Sequence, residues 1–193
     1  MRITQTCATA AAAVALALTG TTAAFGAASP AANPDAAFLQ AVHQANLTEI
    51  AAGKDARAHA KGDCVKQVAD VLVRDHTALD AKGATLAKTK NISMPKAPSA
   101  AQQRQLDALK PMNGTAAYDT AWLKAMSSGH REVLTLIDKE LKSGKDKDIQ
   151  AAAKEARPVV ASHLDMVKDG VCNASPHSSA SPSAHSSSSP SPK

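Results

Sequence analysis

The sequence predicts an all-α fold in which four long amphipathic helices pack as a bundle. Apolar residues recur three, four and seven positions apart over four long segments. Each segment is bounded by residues that commonly start or end helices. The apolar–polar alternation and the β-branched runs typical of strands are nearly absent, so a sheet is not expected. Roughly 110 helical residues are enough to enclose one shared core, which favours a four-helix bundle.

The boundaries of the four helices follow from capping residues. A side-chain oxygen at the N-cap can accept from the first unpaired backbone N–H groups, and glycine commonly ends a helix. The four helices are expected over residues 34–61, 64–90, 116–142 and 147–171. Their expected N-caps are Asn33, Asp63, Thr115 and Asp146. The proline-rich connection over 91–115 has room for a short extra helix within 99–110.

The two ends of the chain differ in composition from this helical domain, which is expected over 33–172. Residues 1–28 are typical of a secretory signal peptide, with a basic start, an apolar run from Ala8 to Leu18 and small residues after it. We therefore expect an exported protein, either secreted or held in the cell envelope. Residues 173–193 are mostly Ser, Pro, Ala and His, and this composition predicts a disordered tail.

The composition also narrows the partners. The chain has 22 Lys and Arg against 17 Asp and Glu, and only 2% of its residues are aromatic. Nucleic-acid binders concentrate basic residues or supply stacking aromatics, so nucleic acid is not an expected partner. After the signal peptide no segment approaches the ~20 apolar residues of a transmembrane helix. The mild positive charge leaves weak contact with anionic cell-envelope polymers as an expectation, and the oligomeric state is not predicted.

Two cysteines, Cys64 and Cys172, follow the predicted signal peptide, and export favours a disulfide between them over two free thiols. In an up–down–up–down bundle they would lie ~35–40 Å apart, at opposite ends. A disulfide needs Cα atoms within ~7 Å, so the second and third helices must be parallel. The connection over 91–115 is long enough to run the length of the bundle. The cysteines therefore predict a ferritin-like bundle with one long crossover between helices two and three.

Each predicted helix carries one ionisable residue on its apolar face, and these residues are Glu49, His76, His130 and His163. A buried ionisable group is costly unless it is paired or bound to a metal, and three imidazoles with one carboxylate suit Zn²⁺, Cu²⁺ or Fe²⁺. Asp75 and Asp119 are expected to orient the imidazoles through hydrogen bonds. The hypothesis is a metal site made by Glu49, His76, His130 and His163.

A buried polar network without metal, in which Glu49 pairs with one histidine, is the competing interpretation. Counted from the cysteine end, three of the four residues lie ~18–20 Å deep and His163 about one turn higher. The Glu-x-x-His motif of di-iron bundles is absent, because Val73 and Val160 precede His76 and His163 by three positions. The histidines at positions 43 and 59 are expected to be solvated.

Several short motifs also resemble a known family. They are Phe38…Glu49…Gly53, the Val-Arg-Asp-His run ending at His76, Tyr118-Asp119 followed by His130, and Pro158…His163-Leu164. Together they resemble a bacterial secreted ferritin-like family that carries a "domain of unknown function" label and whose members are often called outer-membrane proteins. The resemblance covers nearly the whole predicted domain. It implies an exported four-helix bundle and leaves the activity open.

No phosphate-binding loop or nucleophile motif appears in the sequence. The sequence therefore predicts an exported, non-enzymatic bundle that works in the cell envelope by binding, with the Glu/His site as its metal-site hypothesis. The alternative is a metal-dependent redox enzyme built on the same four residues.

Overall fold

The computed structural model describes residues 33–174, which are all-helical with no β-strand. The predicted signal peptide and residues 175–193 of the predicted tail lie outside the described residues. Within the described part, every helix is too short or too polar to traverse a bilayer. Short 3₁₀ turns follow the third and fifth helices. The helices are α1 (Pro34–His59), α2 (Asp63–Thr89), α3 (Ala100–Leu109), α4 (Ala116–Ser143) and α5 (Lys147–Val167).

Most helix boundaries agree with the capping residues. Asn33, Thr115 and Asp146 each accept hydrogen bonds from backbone N–H groups at the first turn of α1, α4 and α5. The predicted cap of α2 is wrong, because Gly62 occupies the N-cap and Asp63 lies in the first turn. There its negative charge still favours the helix start through the helix dipole.

The predicted end of the last helix is also wrong. Helix α5 stops at Val167 rather than at residue 171, and a 3₁₀ turn follows. Asp169 and Gly170 adopt φ values of 58° and 75°, which no right-handed helix can contain. Asn173, the first residue of the predicted tail, donates from its backbone N–H to the carbonyl of Met166 at 2.8 Å. The chain therefore folds back over the end of α5.

Polar contacts and the cysteines show which helix ends lie together. The Cα atoms of Cys64 and Cys172 are 6.2 Å apart with their sulfurs at disulfide distance, so the start of α2 lies beside the end of α5. The Asp119 carboxylate, in the first turn of α4, accepts from the backbone N–H groups after α1 at 2.7 and 2.9 Å. The Asp35 carboxylate, in the first turn of α1, accepts from the backbone N–H groups after α4 at 2.8 and 3.2 Å. Helices α1 and α4 are therefore antiparallel.

The buried side chains form two apolar clusters with a polar layer between them. The cysteine-end cluster is centred on Val65, Leu72, Tyr118, Trp122 and Val167. The far-end cluster is centred on Phe38, Leu39, Ile137, Ile149 and Val160. On each of the four long helices one buried ionisable residue falls between members of the two clusters, and these residues are Glu49, His76, His130 and His163.

Candidate metal centre

Three histidines from three helices meet in the polar layer. His76 on α2, His130 on α4 and His163 on α5 are only 1–2% exposed. Their ring centroids are 5.1, 5.4 and 5.5 Å apart. One nitrogen from each ring lies within 4.8 Å of the corresponding nitrogens of the other two. The expected offset of His163 along the bundle does not keep its ring away from the group, since this ring is as close to the other two as they are to each other.

Each imidazole is oriented by a hydrogen bond that it donates from the ring nitrogen facing away from the other two histidines. In a neutral imidazole one nitrogen carries a proton and the other a lone pair, so a donated bond identifies the free nitrogen. His76 Nδ1 donates to Asn46 Oδ1 at 2.9 Å, His130 Nδ1 to the Met126 carbonyl at 2.7 Å, and His163 Nε2 to Asp75 Oδ2 at 3.0 Å. The lone pairs are therefore left on His76 Nε2, His130 Nε2 and His163 Nδ1.

The free nitrogens have no proton to share among themselves. His76 Nε2 and His130 Nε2 lie 3.4 Å apart although both ring protons are used elsewhere. His163 Nδ1 is buried and has no hydrogen-bond partner among the described residues. Two nitrogens bound to one tetrahedral ion, each about 2.1 Å from it, are separated by about 3.4 Å. The spacing therefore suits a metal ion and does not suit a hydrogen-bonded pair.

The surroundings favour the neutral form of these histidines, which is the form that binds a metal. Burial lowers the pKa of His76 well below its ordinary value, and the nearby His130 and His163 lower it further. Burial also lowers the pKa of His163, although its hydrogen bond with Asp75 opposes the change. At neutral pH both rings should therefore be uncharged and offer a lone pair.

Asp75 connects His163 to the surface of the bundle. Its carboxylate accepts from the Arg74 guanidinium at 2.7 and 3.0 Å as well as from His163. Burial by itself would raise the pKa of Asp75, but the hydrogen bonds from His163 and Arg74 outweigh it and hold the pKa well below its usual range. A carboxylate behind a histidine fixes the tautomer and makes the imidazole a better ligand.

Glu49 belongs to the polar layer but not to the converging group. Its Oε1 lies 3.6 Å from His130 Nδ1, the nitrogen that donates to the Met126 carbonyl. Its Oε2 is buried without a hydrogen-bond partner among the described residues. Burial raises the pKa of Glu49, and the neighbouring His130 only partly opposes this. Gly129 leaves room for the carboxylate, since a Cβ there would lie 3.0 Å from Oε1.

The other sequence-selected polar residues lie elsewhere. The expectation that Asp119 orients an imidazole is wrong, because Asp119 precedes His130 by eleven residues, or about 16 Å of helix. Its carboxylate instead accepts from the backbone N–H groups of the turn after α1. His43 was expected to be solvated, and this expectation is wrong. Its Nδ1 lies 2.6 Å from Asp80 Oδ1, and its Nε2 lies 2.9 Å from the Pro95 carbonyl. His59 is 43% exposed, as expected, and pairs with Asp55.

Sequence reasoning missed Asn46, the acceptor for His76. A signal for it was present, because Asn46 precedes Glu49 by three positions and so shares its helix face. The acceptor for His130 could not be read from residue types, since it is the backbone carbonyl of Met126.

The fold and the site together define a helical-bundle protein with a buried cluster of three histidines. A family model described as "Domain of unknown function (DUF4142)" matches residues 20–169 of the chain. Because the match covers well over half of the sequence, the chain belongs to this family. No curated protein and no solved structure matches the chain.

Proposed function

We propose that this protein binds one transition-metal ion, Zn²⁺, Cu²⁺ or Fe²⁺, through His76, His130 and His163. One observation carries the proposal: two free imidazole nitrogens face each other at 3.4 Å with both ring protons used elsewhere. Without a bound cation the two lone pairs repel each other in a buried setting. Neutral imidazoles are good ligands for all three ions.

The remaining residues of the layer have supporting roles in this proposal. Asp75 holds the His163 ring with Nδ1 turned toward the other histidines. Burial favours the neutral form of Glu49, but a divalent ion bound in the same layer would favour its carboxylate, which then offsets part of the positive charge of the ion. The apolar clusters on both sides limit the access of water to the ion. The site is thus suited to holding a metal in the core.

Elemental analysis of the mature protein, prepared without a His tag and loaded with Zn²⁺ before desalting, tests this proposal. We expect about one equivalent of zinc per chain, as a single three-histidine site would bind. His130→Ala should lose this zinc. His59→Ala should keep it, since His59 is exposed and lies outside the layer. Less than a tenth of an equivalent in the unaltered protein after loading would overturn the proposal.

A metal-dependent redox enzyme at the same site is the second candidate. It is favoured by the ligand number, because three protein nitrogens leave part of the coordination sphere open to another molecule. We place it second because Glu49 faces the Nδ1 side of His130, away from the free nitrogens. Metal-dependent turnover of a peroxide or another oxidant, lost in His130→Ala, would favour the enzyme over the binding protein.

We further propose that the protein is exported to the cell envelope as a ferritin-like four-helix bundle, with the α2–α4 connection as its crossover. The signal-like N-terminal sequence and the disulfide distance between Cys64 and Cys172 support export. The proximity of the α2 start to the α5 end supports the crossover. Mass spectrometry of protein recovered from the envelope and the medium should find an N-terminus near Ala28 and a Cys64–Cys172 peptide pair. Two free thiols would count against export and against the crossover.

A further inference from the structure

A second feature of the core is a cavity between the four long helices α1, α2, α4 and α5, which we term the core cavity. Its volume is about 120 Å³, similar to that of an engineered apolar cavity of about 150 Å³ that binds benzene. Its walls are mostly apolar and include Phe38, Leu39, Val42, Met94, Ile137 and Val159. Lys82 and Glu155 lie at its exposed rim.

The core cavity ends one helical turn from the histidines. Its inner wall includes one residue from each long helix, each three positions from the ionisable residue of that helix. These four residues are Asn46, Leu79, Val133 and Val160. The cavity is therefore separated from the histidine cluster by a single layer of side chains.

Small residues keep the core cavity open. Gly83 on α2 and Ala152 and Ala156 on α5 line it where larger side chains would fill it. A Cβ added to Gly83 would meet no atom within 4 Å. Glycine in the middle of a helix is unfavourable relative to alanine, so no requirement of the α2 backbone explains it.

The charges around the core cavity are paired with one another. Lys82 Nζ lies 3.4 Å from Glu155 Oε2 across the rim, and His43 Nδ1 lies 2.6 Å from Asp80 Oδ1. A charged ligand would thus find no unpaired opposite charge here. Asn46 is different, because its oxygen accepts from His76 while its NH₂ group has no hydrogen-bond partner among residues 33–174. The inner end of the cavity can therefore donate a hydrogen bond.

We propose that the core cavity binds a small neutral apolar molecule that carries a hydrogen-bond acceptor, such as a ketone carbonyl, at one end. The apolar body lies along the walls from α1 and α5, and the acceptor receives a hydrogen bond from Asn46 Nδ2. This site does not require the metal, so it can be tested on the metal-free protein independently of the histidine cluster.

The probe is 2-octanone, titrated into the full-length mature protein in chelator and followed by ligand-observed NMR. We expect saturable 1:1 binding. Gly83→Leu fills the mouth with a side chain and should weaken binding at least tenfold. Ala84→Leu, on the exposed neighbouring position, is the matched control and should bind as the unaltered protein does. Octanoate, which has a similar length but a negative charge, should bind at least tenfold more weakly than 2-octanone.

A second variant tests the orientation of the ligand. Asn46→Asp keeps an oxygen for His76 Nδ1 but lacks the NH₂ donor, and should weaken 2-octanone binding at least threefold. The proposal is overturned if 2-octanone shows no saturable binding, or if Gly83→Leu, confirmed as folded by circular dichroism, binds it as tightly as Ala84→Leu does. Equal affinities for octanoate and 2-octanone would contradict the neutral ligand, and an unchanged Asn46→Asp would contradict the hydrogen bond.

Discussion

The three histidines at the centre of the bundle are held by acceptors of three different kinds. A side-chain amide, a backbone carbonyl and a carboxylate each accept one ring proton. Because every ring proton is used outward, every free nitrogen is turned inward. This arrangement is costly in an apo core and favourable around a cation, so the orientation of the rings is the main argument for a metal.

Loss of one histidine should change the contribution of its neighbour. We expect His76→Ala and His130→Ala each to lower the free energy of unfolding, with a coupling of about 0.5–3 kcal/mol in the double variant, because the two rings share one network. Urea denaturation of the two single variants and the double variant measures the coupling. The pair His76→Ala and His59→Ala should be additive, and strict additivity in the His76–His130 pair would show that the two rings do not interact.

Glu140, at the opposite end of the bundle from the cysteines, should make stability depend on pH. Burial, together with the charge of Asp35, a hydrogen bond to Asp35 and the charge of Asp146, raises the pKa of Glu140 from 4.5 to about 7. Lys90 pairs with Asp146 and offsets part of that repulsion. Since the folded pKa is raised, the contribution of Glu140 to stability is complete below pH 4.5 and is lost as the pH rises through 7.

The corresponding variant is Glu140→Gln, which is neutral at every pH. We expect it to be more stable than the unaltered protein at pH 8, by about 1 kcal/mol, and to have no such advantage at pH 4. Thermal unfolding at the two pH values measures this, with Glu132→Gln on the exposed face of the same helix as control. A Glu140→Gln protein that gains nothing between pH 4 and pH 8 would contradict the assigned direction of the shift.

At the scale of helices, α1 and α2 approach each other closely at Gly53. A Cβ there would lie 2.6 Å from Val73 Cγ2 and 3.1 Å from the Ala69 carbonyl oxygen, so the two helices would have to separate. We expect Gly53→Ala to destabilise the fold by about 1–3 kcal/mol through overpacking. Gly83→Ala is the matched control on α2, and should be neutral or stabilising by up to about 1 kcal/mol because its Cβ meets open space. Equal effects of the two variants in urea denaturation would show that the close approach does not matter.

The sequence predicts the helices well and their ends less well, for physical reasons. Apolar periodicity and side-chain caps are local signals, and they identified four long helices with three of their four N-caps. The end of α5 depends on the left-handed backbone at Asp169, which a non-glycine residue type does not indicate. The level expected for His163 was counted along a helix as far as Cys172, but α5 ends at Val167. A rise of 1.5 Å per residue therefore does not apply to the last residues of that count.

At the scale of the whole molecule, a cysteine pair at disulfide distance and two sets of polar contacts show which helix ends lie together. The spacing of Cys64 and Cys172 indicated which ends meet, because only one arrangement brings the two residues within bonding distance. Four ionisable residues on four apolar faces indicated a shared polar layer. The sequence could not show that Glu49 faces the far side of His130, because side-chain direction within the layer depends on packing.

A disulfide between Cys64 and Cys172 should contribute substantially to the stability of the bundle. Its cysteines are separated by 108 positions, and closing a loop of roughly this length is worth about 4–5 kcal/mol in the chain-entropy model. We expect the double variant Cys64→Ser and Cys172→Ser to lose stability of this order in urea denaturation. Reduction of the unaltered protein should have the same effect. A loss below about 1 kcal/mol in both experiments would show that the link is not formed or does not constrain the unfolded chain.

The most direct test of the central claim is the position of bound metal in crystals of the zinc-loaded protein, located by anomalous diffraction at the zinc edge. The proposal predicts one strong peak at about 2.1 Å from His76 Nε2, His130 Nε2 and His163 Nδ1. Zinc found only at surface residues, with these three nitrogens unbound, would contradict it.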